Sequence, residues 1–435
     1  MVAAGALAAF LCFLASWRYA IFRDDVDLGI FTQVIASTGH GFSSMAEGGV
    51  NHLLVHWSPI LVLTWPILHA FGPVGLQYAQ VVLIVATLIP LWGLARARFA
   101  QPIACALLAV CAIYPLLWAN AIGDFHEMAF VPLLSATLLY AIDQRRFGLG
   151  TAAALLLACT KEDQFVALAW IGVVLAVTLR RDRELRRFGL VLLAIGIGGA
   201  VLYWGLIRLM ILPHVPYGSL GFFDWRGTAP GDLASFLIPR LRFSLFVLAP
   251  VAFLPLISRY GLFLLPGFVE ILASHQPVTL SPGAHYSALL TAYALSAFID
   301  GVSHAALWRR GIAVAGVALA AGIAVYGQIW NSPMEYWYYF YRYPDRHDSL
   351  LQETLNSLPA DAEVGSEDEI FAHLGLDPHA SIDMNGQQWF IYDDTHYSDR
   401  WVRIDRPAVA RLVANGTYRV VSNRAGIVVL RRSSR

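Results

Sequence analysis

The sequence is poor in charged residues, since Asp, Glu, Lys and Arg make up 14% of its 435 positions, against about 25% in an ordinary soluble domain. Its net charge is zero, so we expect no nucleic-acid partner. Cysteine is also scarce. The four cysteines all lie inside apolar runs, at Cys12, Cys105, Cys111 and Cys159. These absences argue against a disulfide framework and against a thiolate zinc site.

Apolar residues fill the chain instead, at 57% of all positions and a mean hydropathy of +0.58. Because a bilayer core takes about 20 residues of helix, we predict a polytopic α-helical membrane protein with eleven spans. The first is a retained span, because the N-terminus lacks the basic region and cleavage site of a secretory signal. The predicted spans are residues 3–22, 74–95, 101–119, 128–142, 147–160, 164–179, 188–212, 243–257, 260–274, 284–303 and 311–330.

A further apolar stretch, SPILVLTWPILHAF at residues 58–71, is short and carries Pro59 and Pro66. We predict that it lies on the membrane surface or re-enters, because a full span there would invert everything downstream. With the N-terminus inside, the cytoplasmic loops hold twelve arginines and the outer loops hold five basic residues. This bias predicts a cytoplasmic N-terminus.

The chain divides into a transmembrane domain at residues 1–330 and a polar domain at residues 331–435. We predict that the second is a small extracytoplasmic α/β domain. It would begin with an aromatic stalk at 334–344 and contain helices near 345–357 and 406–414. It would end in the hairpin YRVVSNRAGIVVLRR, whose alternating apolar residues flank a turn with glycine.

The acidic and histidine clusters all fall on the predicted outer side, which makes them candidates for a site. In the first outer loop, FRDDVDLGIFTQ places three acids after the first span. We predict that Asp27 is the N-cap of a short amphipathic helix whose apolar side rests on the membrane and that Asp24 is solvated. Asp25 is either solvated or the second candidate for the chemistry. The other candidates for contact with substrate or phosphate are Gln33, His52, His56, Asp124, His126, Glu127, Lys161 and His285.

Two of these candidates leave alternatives open. His52 and His56 are four residues apart, so on a helix they would share a face and either bind a divalent cation or donate hydrogen bonds to a phosphate or sugar. Lys161, in TKEDQ, either pairs with Glu162 or Asp163 or meets a phosphoryl group. Glu270, inside a predicted span, is a further candidate. We expect no metal or other cofactor, although a divalent cation stays open.

Several phrases of the sequence resemble a bacterial membrane family catalogued as domain of unknown function 2079. They are DVDLGIFTQ, HWSPIL, GDFHEMAFVPLL, CTKEDQFVAL and the terminal YRVVSNRAGIVVLRR, in that order. The resemblance implies a fold similar to the GT-C glycosyltransferases, membrane enzymes that take a sugar from a polyprenyl-phosphate carrier. It also implies a catalytic acid in the first outer loop, followed by surface-lying helices. Asp27, with Asp25 as the second choice, occupies that position.

The resemblance implies an inverting transfer, in the bacterial inner membrane, from a lipid-linked donor to an extracytoplasmic glycan, lipid or protein. Asp27 would be the general base, and His52, His56 and Lys161 would stabilise the departing phosphate. A transporter or flippase for a lipid-linked or anionic substrate is the alternative, although the polar groups lie on one side and no inverted repeat is visible. A non-catalytic module that binds a cell-wall partner is a third.

Overall fold

The structure is a computed structural model that describes residues 2–178, 181–211, 218–224, 232–305, 314, 316, 342–359, 362–382, 386–395 and 405–433. Most of its membrane part is helix. The helices of this part are α1 Val2–Ala20, α2 Val26–Ala36, α3 Trp65–Phe71, α4 Pro73–Ala86, α5 Leu88–Arg96, α6 Gln101–Ala112, α7 Pro115–Ile122, α8 Phe130–Asp143, α9 Phe147–Leu157, α10 Asp163–Thr178, α11 Arg183–Ala200, α12 Leu233–Leu248, α13 Leu265–Ala273 and α14 Ala288–His304.

Among the described residues, four helical segments are long and apolar enough to cross a membrane. A fifth is added if α6 and α7, bent by 50° at their junction, form one broken span. The remaining predicted spans coincide with shorter helices, and residues 311–330, apart from 314 and 316, lie outside the described part. The count of eleven spans therefore stays a prediction. The four segments are Val2–Ala20, Pro73–Arg96, Arg183–Met210 and Leu233–Val251.

The span predicted at 243–257 is displaced in the structure. Its helix, α12, begins at Leu233 and ends at Leu248. The chain then turns through Ala252 and Phe253, both with positive φ, and continues in short 3₁₀ turns. Pro250 and Pro255 cannot donate to a helical ladder, so the apolar composition of this stretch does not become a straight helix.

Residues 58–71 form a 3₁₀ turn, Pro59–Thr64, followed directly by α3. Several of their large apolar side chains point outward, with Leu63 60% and Phe71 64% exposed. An apolar, exposed and short element is what a helix lying on the membrane surface presents. A helix that crosses the lipid also exposes apolar side chains, so the surface-lying arrangement stays a prediction.

Close packing of α10 on α11 depends on glycine. A Cβ atom at Gly172 would lie 2.6 Å from the carbonyl oxygen of Gly189, and one at Gly196 would lie 2.4 Å from the carbonyl oxygen of Phe165. Small residues let two helix backbones approach closely where the surrounding lipid is as apolar as the side chains. This packing fixes α10, whose first turn borders the site described below.

The C-terminal part is a small α/β unit, as predicted. Its helices α15 Arg346–Asn356 and α17 Arg406–Ala414 and its hairpin match the sequence prediction. The hairpin turns through Ala425 and Gly426, both at positive φ, as a tight two-residue turn requires. The sequence did not indicate the strands β1 Val364–Ser366 and β2 Trp389–Asp393 or the helix α16 Asp368–Leu374.

The hairpin strands, β3 Tyr418–Arg424 and β4 Ile427–Arg432, join β1 and β2 in one four-stranded sheet. The order of the strands in the sheet is β1-β2-β4-β3. Strand β1 pairs with β2 in parallel and the other pairs are antiparallel. The stalk at 334–344 lies mostly, and the boundary at 330/331 entirely, outside the described residues.

Candidate active site

The N-cap of α2 is Asp25, and the prediction that Asp27 caps this helix is wrong. Asp25 has an extended backbone, and its carboxylate accepts a hydrogen bond from the backbone N–H of Val26. Asp27 therefore lies in the first helical turn, where its side chain is not used for capping. It is left 35% exposed and faces a cavity.

Asp24 is fully buried, so the expectation that it is solvated is also wrong. Its carboxylate lies 3.1 Å from Nε of Arg18, in the last turn of α1, and it also accepts a hydrogen bond from the side chain of Gln77. Arg18 forms a second ion pair, with Asp124. An arginine near the end of an apolar span is the sequence signal that points to this network.

Asp27 lies beside two stacked histidines. Nδ1 of His285 is 3.8 Å from its carboxylate, and the rings of His285 and His126 are 3.5 Å apart between centroids. Burial lowers the pKa of His126 to about 4, although its partner Glu127, 2.8 Å away, raises it. His126 is therefore a neutral imidazole at physiological pH.

These three side chains are also the group that could hold a divalent cation. One potential ligand atom from each of Asp27, His126 and His285 lies within 4.8 Å of the others. Neutral imidazole and carboxylate are suitable ligands for zinc. However, parallel stacked rings do not aim their nitrogens at one point, so a shared ion would require one ring to turn.

The pKa of the Asp27 carboxyl is raised to about 7, first by burial and then by the negative charges of Asp25 and Glu127. The side chain borders a cavity on one side and is surrounded by protein on the others, so a carboxylate there is less well hydrated than in water. A carboxyl that titrates near neutrality is suited to accept a proton.

Lys161, which is the single lysine of the sequence, pairs with Glu127 at 3.6 Å rather than forming an ion pair with its neighbours in the chain. Burial alone would lower the pKa of Lys161, but Glu127 and Asp163 raise it well above its usual value. Glu162 instead contacts His56 at 2.9 Å. Of the two alternatives for Lys161, the pairing with Glu162 or Asp163 is therefore wrong, and contact with a phosphoryl group stays a prediction.

Two adjacent cavities meet at this cluster. The first cavity, of about 370 Å³, is walled mainly by apolar side chains of α10, α13 and α14 and contains Lys161 and Glu270. The second cavity, of about 320 Å³, contains Asp27. Tyr286 lines both. The acidic, basic and histidine residues of the first cavity are His56, Lys161, Glu162, Asp163 and Glu270, and those of the second are Arg18, Asp25, Asp27, Asp124, His126 and His285.

Three of the predicted contact residues, Gln33, His52 and Glu127, line neither cavity. His52 is buried against Glu47, 2.9 Å away. Because His56 turns to Glu162 instead, the two histidines do not share a metal site. Gln33 is buried in contacts with the C-terminal unit. Asn120 and Gln80, both in the second cavity, were not indicated by the sequence, since an uncharged amide in a mostly apolar helix is a weak signal.

The fold resembles known structures. ArnT from Cupriavidus metallidurans bound to undecaprenyl phosphate matches with a TM-score of 0.59 at 13% identity, over 99% of this chain and 97% of that one. The apo state of ArnT from the same organism matches with a TM-score of 0.58 at 13% identity, again over 99% and 97%. At this identity the match shows the fold alone; since ArnT has the GT-C fold, the GT-C-like fold predicted from the sequence is confirmed.

The family predicted from the sequence is confirmed as well. No curated protein matches this chain. Residues 18–429 match the family described as "Predicted membrane protein (DUF2079)". That range runs from the last turn of α1 to strand β4, so it includes both cavities and the C-terminal sheet. The chain therefore belongs to the DUF2079 family of predicted membrane proteins.

Proposed function

We propose that the protein is a membrane glycosyltransferase that moves a sugar from a polyprenyl-phosphate donor to an extracytoplasmic acceptor. The observation that carries the proposal is the convergence of Asp27, His285 and the Glu127–Lys161 pair between two cavities of different character. The ArnT structure bound to undecaprenyl phosphate supports a lipid-linked donor. The protein would act in the bacterial inner membrane, with the site and the C-terminal unit on the outer side.

The donor fits the first cavity. Its walls of apolar side chains match a prenyl chain, and Lys161 gives a cation for the phosphate. Next to Lys161, the pKa of His56 is raised by Glu162 against the opposing effect of burial, which favours the imidazolium form. A cation and an imidazolium in a poorly hydrated site stabilise the phosphate as it departs.

The acceptor fits the second cavity, beside Asp27. The Asp27 carboxylate takes the proton of the acceptor hydroxyl while that oxygen forms a bond to the anomeric carbon. The bond between the anomeric carbon and the phosphate oxygen breaks, and the lipid phosphate leaves with the electron pair. This single displacement inverts the anomeric centre. Asp25, which caps α2, is placed to orient the helix rather than to take the proton.

The experiment that tests the proposal uses the purified full chain in proteoliposomes. Polyprenyl-phosphate pentoses and hexoses labelled in the sugar are supplied with an envelope glycolipid fraction as acceptor, and the label in the acceptor is measured. We expect transfer with an inverted anomeric product. Movement of the labelled lipid across the bilayer without transfer would instead support a flippase. If the protein neither transfers the sugar nor moves the lipid, the non-catalytic binding module is the remaining hypothesis.

The pH dependence follows from the pKa of Asp27. Because this pKa is about 7, the carboxylate that acts as base is lost as the pH falls below neutrality. We expect the transfer rate to level off above about pH 8 and to fall about tenfold per unit below about pH 6. A rate that stays constant between pH 5 and pH 8 would contradict the assignment of Asp27 as base.

The proposed step uses no metal ion. We therefore expect EDTA treatment followed by desalting to leave the transfer rate within about twofold, since Asp27 cannot both bind a cation tightly and accept a proton. Loss of activity that zinc or another divalent cation restores would show that Asp27, His126 and His285 act as ligands. In that case the proton acceptor must be another group.

A further inference from the structure

Helix α2, which carries Asp27, is held on three sides. One side packs into the membrane part through Leu28, Phe31 and Ile35, which are almost completely buried. A second side lines the second cavity through Asp27 and Ile30. The third side contains Gly29, Thr32 and Gln33, spaced three and four residues apart and thus on one face of the helix. This third side contacts the C-terminal unit.

Gln33 is bonded at both ends of its amide. Its Nε2 donates to the carbonyl oxygens of Asp377 and Ala380 at 2.7 and 2.9 Å. Its Oε1 accepts from Oγ of Ser44 and from the backbone N–H of Met45 at 2.7 and 3.0 Å. A buried amide with all these partners fixes both the position and the rotation of the helix.

The backbones of α2 and α16 approach as closely as glycine allows. A Cβ atom at Gly29 would lie 2.4 Å from Cδ1 of Phe371, and a Cβ atom at Gly375 would lie 2.7 Å from Cβ of Thr32. Each helix therefore presents a glycine to a larger side chain of the other. This reciprocal contact leaves no room for α2 to shift toward the C-terminal unit.

The segment between α1 and α2 is fixed by the same unit. The ring of His373 lies between those of Tyr19 and Phe22, with centroid distances of 4.0 and 3.8 Å. Arg23 forms a buried ion pair with Glu369 at 3.1 Å. The unit also reaches the site itself, because Ile382 lines the second cavity with Asp27.

We propose that the C-terminal unit is a positioning element for the active site. Docked on the third side of α2, it sets the distance of the Asp27 carboxylate from His285 and from the acceptor, and through Ile382 it closes the wall of the second cavity. The inference rests on the proposed function and gives the C-terminal unit a role within it. Displacing a reacting group by about 1 Å can cost about a hundredfold in rate.

The test is Gly29→Ala in the full-length protein. Alanine is favoured over glycine inside a helix, so a loss of activity cannot come from a weaker α2. We expect kcat to fall about 10- to 100-fold with the donor KM within about twofold, and the acidic limb of the pH profile to move, because the distances from Asp27 to Asp25 and Glu127 change. Gly148→Ala, where a Cβ meets nothing within 4 Å, is the matched control.

A second-site variant separates positioning from general damage. Phe371→Ala removes the two ring atoms that lie 2.4 and 2.6 Å from the new Cβ and leaves the carbonyl oxygen of residue 371 at 2.9 Å. Gly29→Ala/Phe371→Ala should therefore transfer faster than Gly29→Ala alone, and the acidic limb of its pH profile should move back toward that of the wild type. Gln33→Met, which adds no bulk, should also shift the acidic limb of the pH profile. It should raise the rate of backbone amide hydrogen exchange in residues 26–36. Gln33→Met provides the test if the Gly29→Ala protein does not insert into the membrane.

The outcomes are distinct. The inference would be overturned if kcat and the acidic limb of the pH profile were unchanged in both Gly29→Ala and Gln33→Met. It would also be overturned if adding Phe371→Ala did not restore any of the sugar transfer that Gly29→Ala loses. A raised acceptor KM at unchanged kcat would show that the C-terminal unit only binds acceptor, which also overturns it. Failure of the wild-type protein to transfer sugar would instead overturn the proposed function, and the variants would then not be needed to decide it.

Discussion

Replacement of Asp27 by asparagine is expected to lower sugar transfer about 10³-fold, because the amide cannot take the proton of the acceptor hydroxyl and general bases contribute about 10²- to 10⁴-fold. Asparagine keeps the size of the side chain. Asp25 still caps α2, so the helix should remain in place. The measurement is labelled-sugar transfer in proteoliposomes, together with the thermal unfolding midpoint of the purified protein.

Asp394→Asn is the matched control for this variant, since Asp394 is about half exposed, pairs with Arg406 at the surface and lines neither cavity. It should transfer at the wild-type rate. Asp27→Glu should retain partial activity, because a longer carboxylate still accepts a proton from a displaced position. Transfer by Asp27→Asn within tenfold of wild type would rule out Asp27 as the base.

Replacement of Lys161 by methionine is expected to have the second large effect on sugar transfer. We expect kcat to fall about 10²- to 10³-fold, because the charge that holds the departing phosphate is lost. We also expect free polyprenyl phosphate to bind about 10- to 100-fold more weakly. Arg145→Met is the matched control, since Arg145 is half exposed and pairs with Asp182 and Glu184 on the predicted cytoplasmic side.

The stability of this variant depends on the partner left behind. Glu127 is fully buried, and removing one member of a buried ion pair costs about 3–5 kcal/mol of unfolding free energy as a rule. His126, 2.8 Å from Glu127, offsets part of this by taking a proton. The double variant Lys161→Met/Glu127→Gln should therefore unfold at a higher temperature than Lys161→Met alone. If the double variant binds polyprenyl phosphate as tightly as the wild-type protein does, Lys161 is not the phosphate ligand.

The membrane character, the order of the apolar segments and the C-terminal helices and hairpin could be predicted from the sequence because they are local properties. Hydropathy and helix or strand periodicity act over short windows. The residues at which helices begin and end were harder to predict from the sequence. Pro250 and Pro255 break an apolar run that composition alone extends, and Asp25 rather than Asp27 caps α2, which depends on backbone dihedrals.

The residues of the site were mostly named in advance, since a charged or histidine side chain beside an apolar span is costly and therefore informative. Their partners were not. Asp24 is buried against Arg18, Lys161 pairs with Glu127 across 34 residues of chain, and His52 turns away to Glu47. Sequence spacing does not determine contacts between separate loops.

By itself, then, the sequence determined that this is a helical membrane protein of the DUF2079 family with its acids and histidines collected in a few loops. Only the tertiary structure decided which of those side chains meet. Packing of α2 between the membrane part and the C-terminal unit turns Asp27 toward a cavity and Gln33 away from it. Asp27 and Gln33 are only six positions apart in the chain, but they lie on different faces of one helix. Gln33 meets a segment more than 300 residues distant, and Asp27 meets His126 and His285 from two other parts of the chain.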